Sequence, residues 1–198
     1  MSNSETTKIT VVIGTVRPGN YTQKAAAVVV DTLTELEDVT LQVLNLANFT
    51  LNMPGGSDAK GTEDAKKIKS MLQASDGVMI CTPEYNGSFP AALKLMIENL
   101  GFPSALSQKS VAMVGVAAGK IGAIKSLEHL RSVLCHTGAI TLSRVVSIPE
   151  IDKVFTKEGK CLDESMKNRI GQLTIDLYKH AKCSCPCSAH DEEEQARR

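Results

Sequence analysis

The 198-residue chain has no excess of either charge: Lys plus Arg and Asp plus Glu both number 22. A neutral chain offers no electrostatic footprint for nucleic acid or an anionic membrane surface, so neither is expected as a partner. No apolar run approaches the roughly 18 residues of a membrane-spanning helix, so no membrane insertion is expected. The amino-terminal "MSNSETTK" lacks the apolar stretch of a signal peptide. The expected compartment is the cytoplasm, where thiols stay reduced. There is no internal repeat, and no low-complexity stretch before the final residues. What is present is ordinary for a globular protein: 42% apolar and 22% charged residues. The length suits one domain that buries roughly 70% of its unfolded surface.

The six cysteines do not form a standard zinc motif. Cys81 and Cys135 lie in apolar segments and are expected as small core residues. Cys161 follows the loop "KEGK" and says little. The closing "KCSCPCSAHDEEEQARR" gathers Cys183, Cys185 and Cys187, with His190 nearby. Three thiolates and an imidazole can ligate zinc, but C-x-C-P-C lacks the two-plus-two spacing of a finger or knuckle. Residues 1–182 are therefore expected to form one domain, and 183–198 a solvated, disordered tail without metal.

Between these ends the hydrophobic period switches repeatedly. "KITVVIG" (8–14) is a short Val/Ile-rich run that fits a buried strand. A helical pattern follows, with Ala25, Val28, Val29, Leu33 and Leu36 on one face and Thr22 as its expected N-cap. Strands are expected at 39–47, 76–81, 110–117 and in "AITLSRVVSIP", and helices in "TEDAKKIKSMLQ", 90–100, 121–136 and 164–181. Alternation of this kind implies a parallel sheet, because each helix returns the chain across one face. The expected fold is α/β: a flavodoxin-like, doubly wound five-stranded parallel sheet of order 2-1-3-4-5 with helices on both faces. In such sheets ligands lie at the carboxyl ends of the strands, at the switch point between strands 1 and 3. The loops after strands 1, 3 and 4 should share one site.

The first of these loops, "GTVRPGNYTQK", carries Thr15, Arg17, Asn20, Tyr21 and Thr22 and then opens a helix. Hydroxyl and amide groups, a guanidinium and a helix N-terminus together suit a phosphate. The loop is neither a Walker loop nor a Gly-x-Gly-x-x-Gly turn; an ordinary polar loop is the plain alternative. The second, "TPEYNGSFP", offers Pro83 and Tyr85 as rigid walls and backbone amides for a polar planar ring. Asn86-Gly87 alone would favour a tight surface turn. The third, "GVAAGKIGA", supplies small residues (Ala117, Ala118, Gly119, Gly122) that would let a flat ligand approach the backbone.

In this order and spacing, "GTVRPGNYTQKAA", "TPEYNGSFPAALKLMIENL" and "GVAAGKIGAIKSLEHLRSVLCHTGA" resemble the NADPH-dependent FMN reductase family. The resemblance runs from about Lys8 to Ala181, and Pro-Glu-Tyr-Asn-Gly-Ser is its most specific mark. It implies FMN as cofactor. Its phosphate would be held by Thr15, Arg17, Asn20, Tyr21 and Thr22, and its ring lined by Pro83, Glu84, Tyr85, Asn86 and Gly87. Ala118, Gly119 and Lys120 would close the pocket. The family usually has Ser at the positions of Thr15 and Asn20 and Asn at that of Thr22; each replacement keeps hydrogen-bonding capacity. The Cys-rich tail is outside the family pattern.

The same resemblance implies an oxidoreductase. Hydride would pass from NADPH or NADH through bound FMN to a quinone, azo, metal-ion or free-flavin acceptor, with no catalytic side chain required. This agrees with the lack of a convincing catalytic His or Cys, His129 being expected on the surface of the fourth helix. A homodimer or homotetramer is implied as well. The alternatives are a flavodoxin-type electron carrier or a redox-sensing FMN-binding module.

Overall fold

The computed structural model describes residues 6–54 and 61–183. The chain runs β1 (Thr7–Ile13), α1 (Tyr21–Thr34), β2 (Val39–Asn45), α2 (Glu63–Gln73), β3 (Gly77–Pro83), α3 (Ala91–Glu98), β4 (Ser110–Val116), α4 (Ile124–His136), β5 (Ile140–Thr141), β6 (Val146–Ile148), α5 (Ile151–Val154) and α6 (Glu164–Cys183). A single 3-10 turn, Leu46–Asn48, follows β2. Strand order is β2-β1-β3-β4-β5, with β6 also paired to β4. All pairings between these strands are parallel. The doubly wound fold stands as expected.

Alternation along the strands divides the core between two faces. Ile9, Val11 and Ile13 of β1, Met79 and Cys81 of β3, and Ala112, Val114 and Val116 of β4 meet α1 and α6. Val12, Val78, Ile80, Val111 and Met113 meet α2, α3 and α4. The central strands β3 and β4 are buried throughout, as strands covered on both faces must be.

One expected strand differs. The fifth lane of the sheet is broken: β5 pairs with β4 at Ser110 and Val111, β6 at Val114 to Val116. The physical reason is Arg131 of α4. Its Nη1 donates to the Leu142 carbonyl at 2.8 Å and its Nη2 to the Ser143 carbonyl at 3.0 Å. The guanidinium thus satisfies carbonyls in the gap, and the chain can leave the ladder there without orphaned acceptors. The short α5 after β6 lacked a periodic signal.

Two local expectations are also corrected. The N-cap of α1 is Asn20, whose side chain accepts from Gln23 N at 2.8 Å, so Thr22 lies inside the first turn. Cys81 is buried, but Cys135 is exposed. The face of α4 turned to the sheet is set by Leu127, Leu130 and Leu134, and Cys135, one residue on, is rotated away from it. By contrast, Thr62 caps α2 by accepting from Ala65 N, as the pattern suggests. Of the tail, only Cys183 is described, as the last residue of α6; Cys185, Cys187 and His190 lie outside the described residues. Among the described residues no helix is long and apolar enough to cross a membrane, and no group of His, Cys, Asp and Glu could hold a metal.

Candidate flavin site

The loops after β1, β3 and β4 converge at the carboxyl end of the sheet. Gly14 N donates to Cys81 O at 2.8 Å, and Glu84 N to Val116 O at 3.0 Å, so each strand exit is tied to the next. The tie between the first and second loops is a side-chain one: Thr15 Oγ1 lies 3.1 Å from Tyr85 OH. Thr15 Oγ1 also accepts from Arg17 N at 3.3 Å, which bends the first loop back on itself.

Within that loop the candidate residues divide by commitment. Asn20 is spent on local structure, because its Oδ1 caps α1 and its Nδ2 donates to Arg17 O at 2.7 Å. Tyr21 packs on the core with its ring under Lys24 Nζ, 3.9 Å from the centroid. Arg17 is exposed, and none of its side-chain nitrogens is committed to a bond or ion pair among the described residues. Thr22 is wholly buried, yet its Oγ1 has no hydrogen-bond partner. A buried hydroxyl without a partner among the described residues costs about 1–3 kcal/mol. The amide groups of the first helical turn have no intrahelical acceptor and carry the positive end of the dipole. An FMN phosphate fits this donor set.

The second loop is a hairpin-like turn. Tyr85 N donates to Ser88 O at 2.8 Å and Ser88 N to Tyr85 O at 3.0 Å. Asn86 and Gly87 between them have φ of 51° and 75°, which Asn and Gly adopt at least cost. The crest is therefore Asn86-Gly87, with Tyr85 half-buried against Thr15. Pro83 ends β3, fully within the sheet and paired with Val116.

Glu84 is committed elsewhere: its Oε2 accepts from Ser126 N at 3.1 Å, in the first turn of α4. Ser126 Oγ donates to Pro83 O at 3.0 Å. Ser126 had no flag in the sequence. The helix expected from 121 begins instead at Ile124, with Ala123 at its N-cap position, a residue that cannot cap it and so requires a partner from elsewhere.

In the third loop Ala118, Gly119 and Lys120 are exposed, and a Cβ on Gly119 would meet nothing within 4 Å, which leaves the room that a flat ligand needs. Gly122 is small for another reason. Its φ is +79° and a Cβ there would lie 2.4 Å from Ser147 Oγ, so the protein's own packing requires the glycine. Cys81, beneath the site, has its thiol pushed up to about 12 by burial; it is a neutral core thiol. His129 is exposed on α4, with Nδ1 3.2 Å from Ser88 Oγ.

A cavity of about 290 Å³ opens beside the first loop, lined by Val16, Leu46, Phe49, Leu51, Ala92 and Leu95. A wider one of about 780 Å³, between the β5–β6 break and α6, includes Arg144, Ser165, Asn168 and Arg169. It holds none of the residues singled out from the sequence and lies away from the strands' converging exits.

Fold and site define a flavodoxin-like protein with three loops converging at the switch point of its sheet. Residues 7–153 match the model of the NADPH-dependent FMN reductase family, and the chain belongs to that family. It is 30% identical over 182 residues to an NADPH azoreductase of Bacillus sp. (strain OY1-2), an alignment covering 88% of this chain and 96% of that protein. It is 26% identical over 180 residues to a quinone reductase of Escherichia coli K12, covering 86% and 94%. In structure it is similar to a flavoenzyme NAD(P)H:(acceptor) oxidoreductase from Paracoccus denitrificans. There the TM-score is 0.75 at 20% identity, over 90% of this chain and 98% of that one.

Proposed function

We propose that the protein is an NAD(P)H oxidoreductase that holds FMN across the three loops and serves a quinone, azo, metal-ion or free-flavin acceptor. When bound, FMN supplies the centre that takes hydride from the nicotinamide and returns electrons to the acceptor. The observation that carries the reading is the exposed guanidinium of Arg17, with no side-chain bond among the described residues, beside the first turn of α1 where the loops after β1, β3 and β4 converge. In the proposed complex Thr22 and the first-turn amides bind the ester phosphate, and Arg17 adds its guanidinium from the solvent side. Thr15 positions Tyr85 through their shared hydrogen bond. The turn Glu84–Gly87 presents backbone to the ring, and Ala118, Gly119 and Lys120 flank it. No side chain of the chain needs to move a proton, which leaves room for acceptors of different shape.

Exposed Val16, Met53 and Ile121 on loops and Ile124 at the start of α4 lie at this same end, and they support a homodimer or homotetramer with its contacts near the flavin. Sedimentation velocity tests it; a monomer at micromolar concentration counts against it. The free state of Cys81, Cys135, Cys161 and Cys183 suits a reducing, cytoplasmic setting.

The functional reading is tested by loading the purified protein with FMN and following oxidation of NADPH and of NADH with each acceptor class. FMN should bind in preference to FAD, and turnover should be seen. If flavin binds and dithionite reduces it while both nicotinamides fail, the chain is an electron carrier or a redox-sensing module.

A further inference from the structure

The helix α4 begins without a cap of its own. Ala123 stands at its N-cap position and has no side chain to offer. The amide of Ser126, at the third helical position, would ordinarily bond to such a cap. Here it bonds to the Glu84 carboxylate, which belongs to the turn after β3, 42 residues earlier in the chain. A return bond runs the other way, from Ser126 Oγ to the carbonyl of Pro83, and Ser126 is fully buried. One helical turn on, His129 reaches Ser88 at the far end of the same turn. On the opposite side Thr15 holds the turn through Tyr85 OH. The segment Pro83–Ser88 is thus gripped along its length by the first two turns of α4.

From this geometry we infer that Glu84 is a positioning residue, a cap supplied in trans that locks the Pro83–Ser88 turn to α4 and so sets where that turn meets the flavin. The inference rests on the flavin reading above and adds to it a role for Glu84 distinct from lining the ring. A carboxylate suits the task because it accepts strongly and opposes the positive end of the helix dipole. Its backbone amide is meanwhile bonded to Val116 O, so the residue joins β3, β4 and α4 at one point. A turn with both central residues at positive φ has its own shape, but its orientation relative to the sheet depends on such outside ties.

The test compares Glu84→Ala with Glu84→Gln, which keeps an accepting oxygen at the same reach. Two quantities are read: the FMN dissociation constant by fluorescence titration, and hydrogen exchange of the Ser126 amide in flavin-free protein. Glu84→Ala is expected to weaken FMN about tenfold, equivalent to about 1.4 kcal/mol, and to speed Ser126 exchange by a similar factor. Glu84→Gln is expected to recover most of both losses. Unchanged FMN affinity in folded Glu84→Ala overturns the inference, as does a Gln variant that loses as much as Ala.

If Glu84→Ala does not fold, Glu84→Asp, one methylene shorter, withdraws the carboxylate from the Ser126 amide and keeps its charge. It is expected to weaken FMN about threefold, and unchanged affinity together with faster Ser126 exchange overturns the inference. Wild-type protein that binds no FMN at all refutes the flavin reading instead, and the Ser126 exchange data then still report whether Glu84 caps α4.

Discussion

Arg17 and Thr22 sit five residues apart, and the proposed phosphate cradle would draw on them by opposite physical means. Arg17 is exposed and uncommitted, so its removal should cost the fold little. A hydrogen bond to a charged group contributes roughly 1.5–3 kcal/mol, about 10- to 150-fold in affinity. Arg17→Ala should weaken FMN by that order and riboflavin, which lacks the phosphate, far less. Isothermal titration with both flavins decides it; equal losses would make Arg17 a support of the loop. Thr22 is the reverse case, a buried hydroxyl with nothing to bond in the flavin-free chain. Thr22→Val keeps the shape and removes the orphan, so the flavin-free protein should gain about 1 kcal/mol of stability. The same variant should bind FMN about tenfold more weakly. Urea melts and titration on one preparation give both numbers. A variant that is less stable when flavin-free would mean that Thr22 Oγ1 has a partner, such as water, in the free protein.

At the scale of elements, the broken fifth lane and the capless α4 show how one helix organises two neighbours. The amino-terminal turns of α4 hold the Pro83–Ser88 turn through Ser126 and His129. Arg131, further along, holds the β5–β6 gap through the Leu142 and Ser143 carbonyls. Arg131→Ala should destabilise the protein by about 1–2 kcal/mol, because bonds to a charged group are lost and partly buried acceptors are left exposed to poor solvation. Arg131→Lys should recover little, since one ammonium lacks the planar fork that spans two carbonyls. Thermal melts of the three proteins check this, and full recovery by Lys would reduce Arg131 to a simple charge.

For the molecule as a whole, the carboxyl-terminal helix is fastened to the far end of the sheet by one cluster. Tyr178 OH donates to Asp38 Oδ1 at 2.7 Å, and Lys182 is bonded to the same carboxylate. Lys182 first, and then Tyr178, hold the Asp38 carboxyl below its ordinary range. A carboxyl depressed in the folded state stabilises the fold at neutral pH and loses that contribution as pH falls through its folded value. Asp38→Asn should therefore lower the melting temperature at pH 7, and the gap to wild type should close below about pH 4. A gap independent of pH would assign the effect to packing.

Much of this architecture was legible in local chemistry. Runs such as "TVVI" and "GVMIC", separated by amphipathic helices, imply a parallel sheet whose central strands are covered on both faces, and that topology directs attention to the strands' carboxyl ends. Thr62 as a cap, Asn86-Gly87 as a tight turn and Arg17 as a permanent cation follow from side chain and spacing alone. Other features depended on partners distant in the chain. The break after Thr141 needs Arg131 from the preceding helix, and the cap of α4 needs Glu84 from the turn after β3. The demand for glycine at position 122 comes from Ser147, and Thr22 lies inside the helix because Asn20 caps it first. Periodicity reports which face of an element is buried. It cannot report which atom from another element will answer an unpaired donor or acceptor, because that is decided only when the elements pack.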